Sequence, residues 1–235
     1  MTFKIGFHVS IAGGIHNSIS NTIKLGCSTF TFFTRNPRGW VEKALEKGEI
    51  ELFKSNLKKS GIQNDCVAVD MPFLPNLSGP DGETYEKSIE SFTNELIKCS
   101  ILGIEYLITD LGSHLGKGKD NGIKQLVKSC ESAVDKYKSI YDKKLNVTVL
   151  LENGWGSSNA MGSTLEELRE ILDKLPNKGY DVCLDTCHAF ASFYRYKREI
   201  RNSIFDRLES CYEINIKATD FDTIHTKEIS ELKLT

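Results

Sequence analysis

Asp185, Thr186, Cys187 and His188 close a short apolar run that begins at Tyr180, in the stretch CLDTCHAFA. A carboxylate and an imidazole three positions apart, delivered where an apolar segment ends, are the groups that bind a metal ion or move a proton. The same placement recurs along the chain. Asp70 ends DCVAVD, Asp110 ends YLITD and Glu152 ends NVTVLLE, while His8, Thr34-Arg35 and Lys217 hold corresponding places. Taken singly each is weak evidence, because an Asp at a strand end is more often a helix cap or a turn residue. Gathered on one surface, such carboxylates repel one another unless they are protonated or bound to a cation. A divalent metal satisfies that requirement.

Bringing these groups together is the task of the backbone. Short apolar runs predict strands at 3–9, 29–34, 65–71, 106–111, 146–152, 180–185 and 213–219. Between them, amphipathic patterns predict helices near 16–25, 50–60, 84–102, 121–141, 164–175 and 197–211. In the third helix Ile89, Phe92, Leu96 and Ile97 recur at helical spacing, with Glu86, Lys87, Glu90 and Glu95 turned outward. The fifth opens on Ser163-Thr164 followed by Glu166 and Glu167, a capped N-terminus. Regular alternation of strand and helix predicts a parallel sheet with helical crossovers. No GxGxxG follows the first strand and no GxxxxGK[ST] occurs, so an open nucleotide-binding sheet lacks its main signal. A TIM-type α/β barrel places the C-terminal ends of its strands on one face, where active sites are built. The expectation is therefore a single barrel domain over residues 1–235, incomplete at its eighth strand, which is missing or replaced by the tail 224–234.

Composition sets the background. Hydrophobic residues make up 40% and charged residues 26% of the 235, and the net charge of -2 allows a local basic patch without predicting one. The seven cysteines are odd in number and scattered through apolar segments, which fits reduced, buried thiols rather than a disulfide framework. Cys183 and Cys187 lack the spacing of a zinc knuckle. With no charged N-terminal region leading into a long apolar one, and no run near about 18 apolar residues, an intracellular, cytoplasmic and soluble monomer with no membrane partner is expected.

Six segments carry a resemblance. GFHVSIAGG (6–14), FFTRNPRGW (32–40), PFLPNL (72–77), LGSHLGKG (111–118), LLEN (150–153) and CLDTCHAFA (183–191) resemble, in order and spacing, the segments of the endonuclease IV family. These are zinc-dependent AP endonucleases of base-excision repair, built as barrels with a trinuclear zinc site. They flip an abasic nucleotide out of double-stranded DNA and cleave the phosphodiester bond 5′ to it, leaving a 3′-hydroxyl. The resemblance implies that Glu152 is the catalytic carboxylate bridging two metal ions, that Asp185 binds one of those two, and that His188 binds the third, with Cys187 as packing. Asp70 and Asp110 stand where the family has histidines, and Lys217 stands where it has another. The metal set read from the chain is Asp70, Asp110, Glu152, Asp185 and His188. Zinc follows from the resemblance, whereas the two added carboxylates favour manganese or magnesium and predict weakened hydrolysis. Arg38, Phe73 and Leu74 match the loops that enter the duplex at the abasic site. Gly112, Ser113 and His114 either bind a phosphate through backbone amides or form a turn. Two other readings stand beside the nuclease: a catalytically impaired homologue that binds abasic DNA, and a metal-dependent sugar isomerase on the same scaffold.

Overall fold

The computed structural model describes residues 4–141, 144–175 and 179–193. Its strands are β1 (Gly6–His8), β2 (Thr29–Phe32), β3 (Val67–Asp70), β4 (Tyr106–Asp110), β5 (Thr148–Glu152) and β6 (Tyr180–Cys183). The helices are α1 (Asn17–Lys24), α2 (Lys47–Ser60), α3 (Glu83–Leu102), α4 (Lys119–Ile140), α5 (Leu165–Lys174) and α6 (Thr186–Phe193). Each strand pairs in parallel with the next, in the order β1-β2-β3-β4-β5-β6. Such an order contains no reversal. With right-handed crossovers, every connecting helix then falls on one face, which is the wall of a TIM-type barrel and not a doubly wound sheet. At Gly6 any side chain would strike the Thr29 carbonyl, so β1 lies against β2 where only glycine fits.

The period of two along the strands sorts the residues onto two faces. Phe30, Phe32, Val67, Val69, Leu107, Val149 and Leu151 point outward and form the main core with Phe53, Phe92, Leu96, Leu126 and Leu168 of the helices. Ala68, Ile108, Leu150 and Cys183 form a separate apolar layer on the inner face. Two positions further along β3, β4 and β5, and on the same face, come Asp70, Asp110 and Glu152, with Asp185 two residues beyond the end of β6. Register fixes their neighbours: Asp110 lies opposite Glu152, which lies opposite Cys183. Alternation thus provides both the apolar floor and the carboxylates above it.

Several expectations are corrected. Glu95 does not face outward; its side chain is 0% exposed, because α3 turns it toward Arg35 and Lys98. The run 180–185 ends as a strand at Cys183, and Thr186 opens α6, a helix not anticipated there. Cys187 is exposed on that helix instead of packed, Cys27 is partly buried, and Cys66, Cys99, Cys130 and Cys183 are buried free thiols. The helix at 197–211, the strand at 213–219 with Lys217 and the tail 224–234 lie outside the described residues. Among the described residues no helix is long and apolar enough to cross a membrane.

Candidate functional site

At the C-terminal ends of β5 and β6, Glu152, Asp185 and His188 each offer a ligand atom, all lying within 4.8 Å of one another. Asp185 has two tasks. Its Oδ1 accepts the His188 amide at 2.8 Å, capping the first turn of α6, and its Oδ2 lies 3.8 Å from His188 Nδ1. The residue that caps the helix is therefore also the one that offers a carboxylate to the group. Asn153, which sequence reasoning passed over, holds the arrangement from beneath. It is buried, its Oδ1 accepts the Asp185 amide at 2.6 Å, and its Nδ2 donates to the Asp185 carbonyl at 3.0 Å. The Asn153 carbonyl lies 2.9 Å from His188 Nδ1. A carbonyl only accepts, so Nδ1 carries a proton and donates it to Asn153. The signal for Asn153 was its position beside Glu152, since a polar residue following a buried strand needs a partner.

Electrostatics binds the remaining carboxylates to this group. Burial pushes Glu152 well above the usual carboxylate range, and the charges of Asp110, Asp185 and Asp70 push it further. Burial likewise raises Asp110, opposed by His188 and reinforced by Asp70 and Asp185. The buried Cys183 thiol is raised by burial and by the same four carboxylates, which places it as their floor. Asp70 sits apart from the triad in one respect: its Oδ2 is 2.6 Å from His8 Nδ1. That nitrogen also lies 3.1 Å from Thr31 Oγ1. Opposite, the Trp155 indole is half exposed and 5.5 Å from the His188 ring.

An aromatic ridge leads away from Asp70. The rings of His8 and Phe33 are 4.4 Å apart, and those of Phe33 and Phe73 are 5.1 Å apart. Phe73 is 58% exposed and Leu74 36%, so neither belongs to the core. Arg38 is exposed on the loop after β2, its amide bonded to Asn36 Oδ1 at 3.1 Å. The Phe73 amide donates to the Pro37 carbonyl at 3.1 Å, joining that loop to the one bearing Phe73. Asn76 then clamps the next loop, accepting from the Ser113 amide at 2.8 Å and donating to the Ser113 carbonyl at 3.0 Å. The His114 amide is taken by the Asn159 carbonyl at 3.0 Å. The Ser113 and His114 amides are thus satisfied inside the protein, Ser113 forms an antiparallel bridge with Ala160, and Gly112 adopts a left-handed φ of 81°.

This donor set fits a divalent cation. Oxygen ligands crowded by burial and mutual repulsion are relieved by a positive ion, and the His188 imidazole lies beside them. It differs from an imidazole-rich zinc set at positions 70 and 110, where oxygen replaces nitrogen.

The model of the xylose isomerase-like TIM barrel family matches residues 19–229. The chain is similar to the probable endonuclease 4 of Nitrosopumilus maritimus, 46% identical over 199 residues, covering 84% of this chain and 69% of that protein. To the probable endonuclease 4 of Cenarchaeum symbiosum it is 46% identical over 192 residues, covering 81% and 66%. The chain thus spans about two thirds of the length of these relatives. Among solved structures, the endonuclease IV of Thermus thermophilus superimposes with a TM-score of 0.74 at 29% identity, covering 88% of this chain and 71% of that one.

Proposed function

Because the chain belongs to the endonuclease IV family of xylose isomerase-like TIM barrels, we propose that it is a metal-dependent AP endonuclease acting on abasic sites in double-stranded DNA. In this reading the bond 5′ to the abasic site is hydrolysed and a 3′-hydroxyl is left. The observation that carries the proposal is the adjacency of two features on one end of the sheet. One is the Glu152–Asp185–His188 group with Asp110 beside it, and the other is the exposed pair of loops bearing Arg38, Phe73 and Leu74.

Each part has a physical role. Phe73 and Leu74 present apolar surface that can fill the space of the missing base, and Arg38 contributes a guanidinium for backbone phosphates. Glu152, Asp185 and His188 would hold the metal, with Asp110 and Asp70 as further oxygen donors. A bound divalent ion supplies Lewis-acid polarisation of the phosphate and lowers the pKa of a coordinated water. Asn153 holds the His188 ring through its carbonyl, 2.9 Å from Nδ1, and so orients the imidazole beside Glu152 and Asp185. His8 holds Asp70 by its 2.6 Å contact. The two carboxylates at positions 70 and 110 favour manganese or magnesium over zinc and make hydrolysis slower than an imidazole-rich site supports.

The test uses a labelled duplex with one abasic analogue, incubated with zinc, manganese, magnesium or EDTA. Incision at the analogue that EDTA abolishes and manganese or magnesium supports is the expected result. Selective binding without incision under any metal would favour the impaired homologue, and neither binding nor incision would overturn the proposal.

A further inference from the structure

Between β2 and α2, residues 33–46 contain no helix or strand, yet this long segment carries Arg38. Connections of that length without regular structure are uncommon and usually functional. What holds it is a buried cluster of charge. Arg35 Nε lies 2.9 Å from Glu42 Oε1 and 3.5 Å from Glu95 Oε1. Lys98 Nζ lies 2.9 Å from both Glu42 Oε2 and Glu95 Oε1, and donates to Thr34 Oγ1 at 3.1 Å. Thr34 Oγ1 in turn donates to Glu95 Oε2 at 2.6 Å. The side chains of Arg35, Glu95 and Lys98 are 3%, 0% and 8% exposed.

Stability alone does not explain such a cluster, since well-packed apolar residues of similar volume are often at least as stabilising as buried ion pairs. Directionality does. Arg35 Nη2 donates to Ser91 Oγ of α3 at 2.8 Å, and Nη1 donates to the carbonyls of Asn36 and Gly39. Those two carbonyls flank Pro37 and Arg38, so the guanidinium is the template around which the turn folds. The turn then presents Arg38 outward and lends the Pro37 carbonyl to the Phe73 amide. Of the two arginines in RNPR, one is buried and shapes the turn, and the other is exposed.

We propose that Arg35 and Glu95 are positioning residues that preset the Arg38 turn against the Phe73 loop, and that abasic-site selectivity depends on their fork geometry rather than on their charge. The proposal rests on the reading of this face as a DNA-damage interface. Only a planar fork donates to Ser91 and both loop carbonyls while its Nε lies beside the two carboxylates as an ion pair without a hydrogen bond; an ammonium retains the charge and loses the geometry.

Arg35→Lys is the decisive variant, with Glu95→Gln as a second route to the same defect. Affinities for a duplex with one abasic analogue and for the matched intact duplex are measured by anisotropy in EDTA, over a salt series. Amide hydrogen exchange is followed at residues 36–42 without DNA. The expected result for Arg35→Lys is a melting temperature close to the parent's, faster exchange at 36–42 and a loss of selectivity of about tenfold, equivalent to about 1.4 kcal/mol. Arg38→Ala added to Arg35→Lys should cost much less selectivity than Arg38→Ala alone. If Arg35→Lys folds and keeps both the parent's selectivity and its exchange, the inference is overturned. If Arg35→Lys does not fold, Glu95→Gln is judged by the same two readouts. A parent that binds both duplexes alike overturns the damage-interface reading instead, and exchange at 36–42 then decides the loop device alone: raised in Arg35→Lys it stands, unchanged it falls.

Discussion

Asn153 is the residue whose importance rests most completely on geometry. Its side chain makes two hydrogen bonds to the Asp185 backbone, and its carbonyl accepts from His188 Nδ1. Groups that orient metal ligands typically matter by about 10- to 100-fold in affinity. Asn153→Ala should therefore weaken divalent-ion binding within that range by calorimetry, and unaltered affinity would contradict the orienting role. The carboxyls above Cys183 make a second prediction. Glu152 and Asp110 have folded-state pKa values above their ordinary ones, so the folded protein retains protons that the unfolded chain has released. Their contribution to stability is fully present below the ordinary carboxyl range and is lost as pH rises through the raised values. The depressed carboxyls of Asp65, Asp81, Glu83 and Glu170 act in a lower window, losing their contribution as pH falls. In EDTA the melting temperature should thus decline as pH rises above the ordinary carboxyl range, with the buried Glu95 contributing in the same sense, and Asp110→Asn should reduce that decline. A profile equally steep in Asp110→Asn would remove Asp110 from the cluster.

Among the elements, the loops after β2 and β3 act as one unit because the Phe73 amide is bonded to the Pro37 carbonyl. Both carry exposed side chains that the core does not use, so replacing them should change binding and leave folding intact. Phe73→Ala should lower affinity for abasic duplex by about 1–3 kcal/mol, the worth of one stacking contact. Arg38→Ala should reduce the salt dependence by about one phosphate contact. Either change lowering the melting temperature by many degrees while sparing DNA affinity would mean that these side chains serve the fold. Helix α5 shows how much local chemistry was readable: Thr164 Oγ1 accepts the Glu167 amide at 3.1 Å, the cap that its sequence announces. Helix α6 shows the opposite. The apolar run closes on Asp185, yet nothing in hydrophobic periodicity marks that the strand stops two residues earlier, at Cys183, so that Asp185 can cap.

For the molecule as a whole, alternation of apolar runs and helical patterns made the parallel barrel wall legible, and the ends of those runs marked Asp70, Asp110, Glu152 and Asp185, whose charges the paired strands bring together. Glu95 was misread because helical periodicity reports which face is apolar, whereas this carboxylate is buried by partners distant in sequence, Thr34 and Arg35. The sequence marked His8 at a strand end but not its contact with Asp70, and Trp155 went unmarked, because their proximity to Asp70 and His188 exists only once the strands have paired. The oxygen-rich donor set has a consequence for metal choice. Manganese or magnesium should raise the melting temperature more than zinc at equal concentration, and Asp70→His with Asp110→His should raise zinc affinity. Tight stoichiometric zinc in the purified, unaltered chain would contradict that preference. The most direct measurement of the central claim is the chemistry of the nick. An end-labelled duplex with a single abasic site is incubated with the protein and manganese, and the upstream fragment is offered to a DNA polymerase. The predicted product is a fragment ending 5′ to the abasic site with an extendable 3′-hydroxyl, formed by the parent and abolished in Glu152→Gln. A fragment that cannot be extended, or incision that persists in Glu152→Gln, would contradict it.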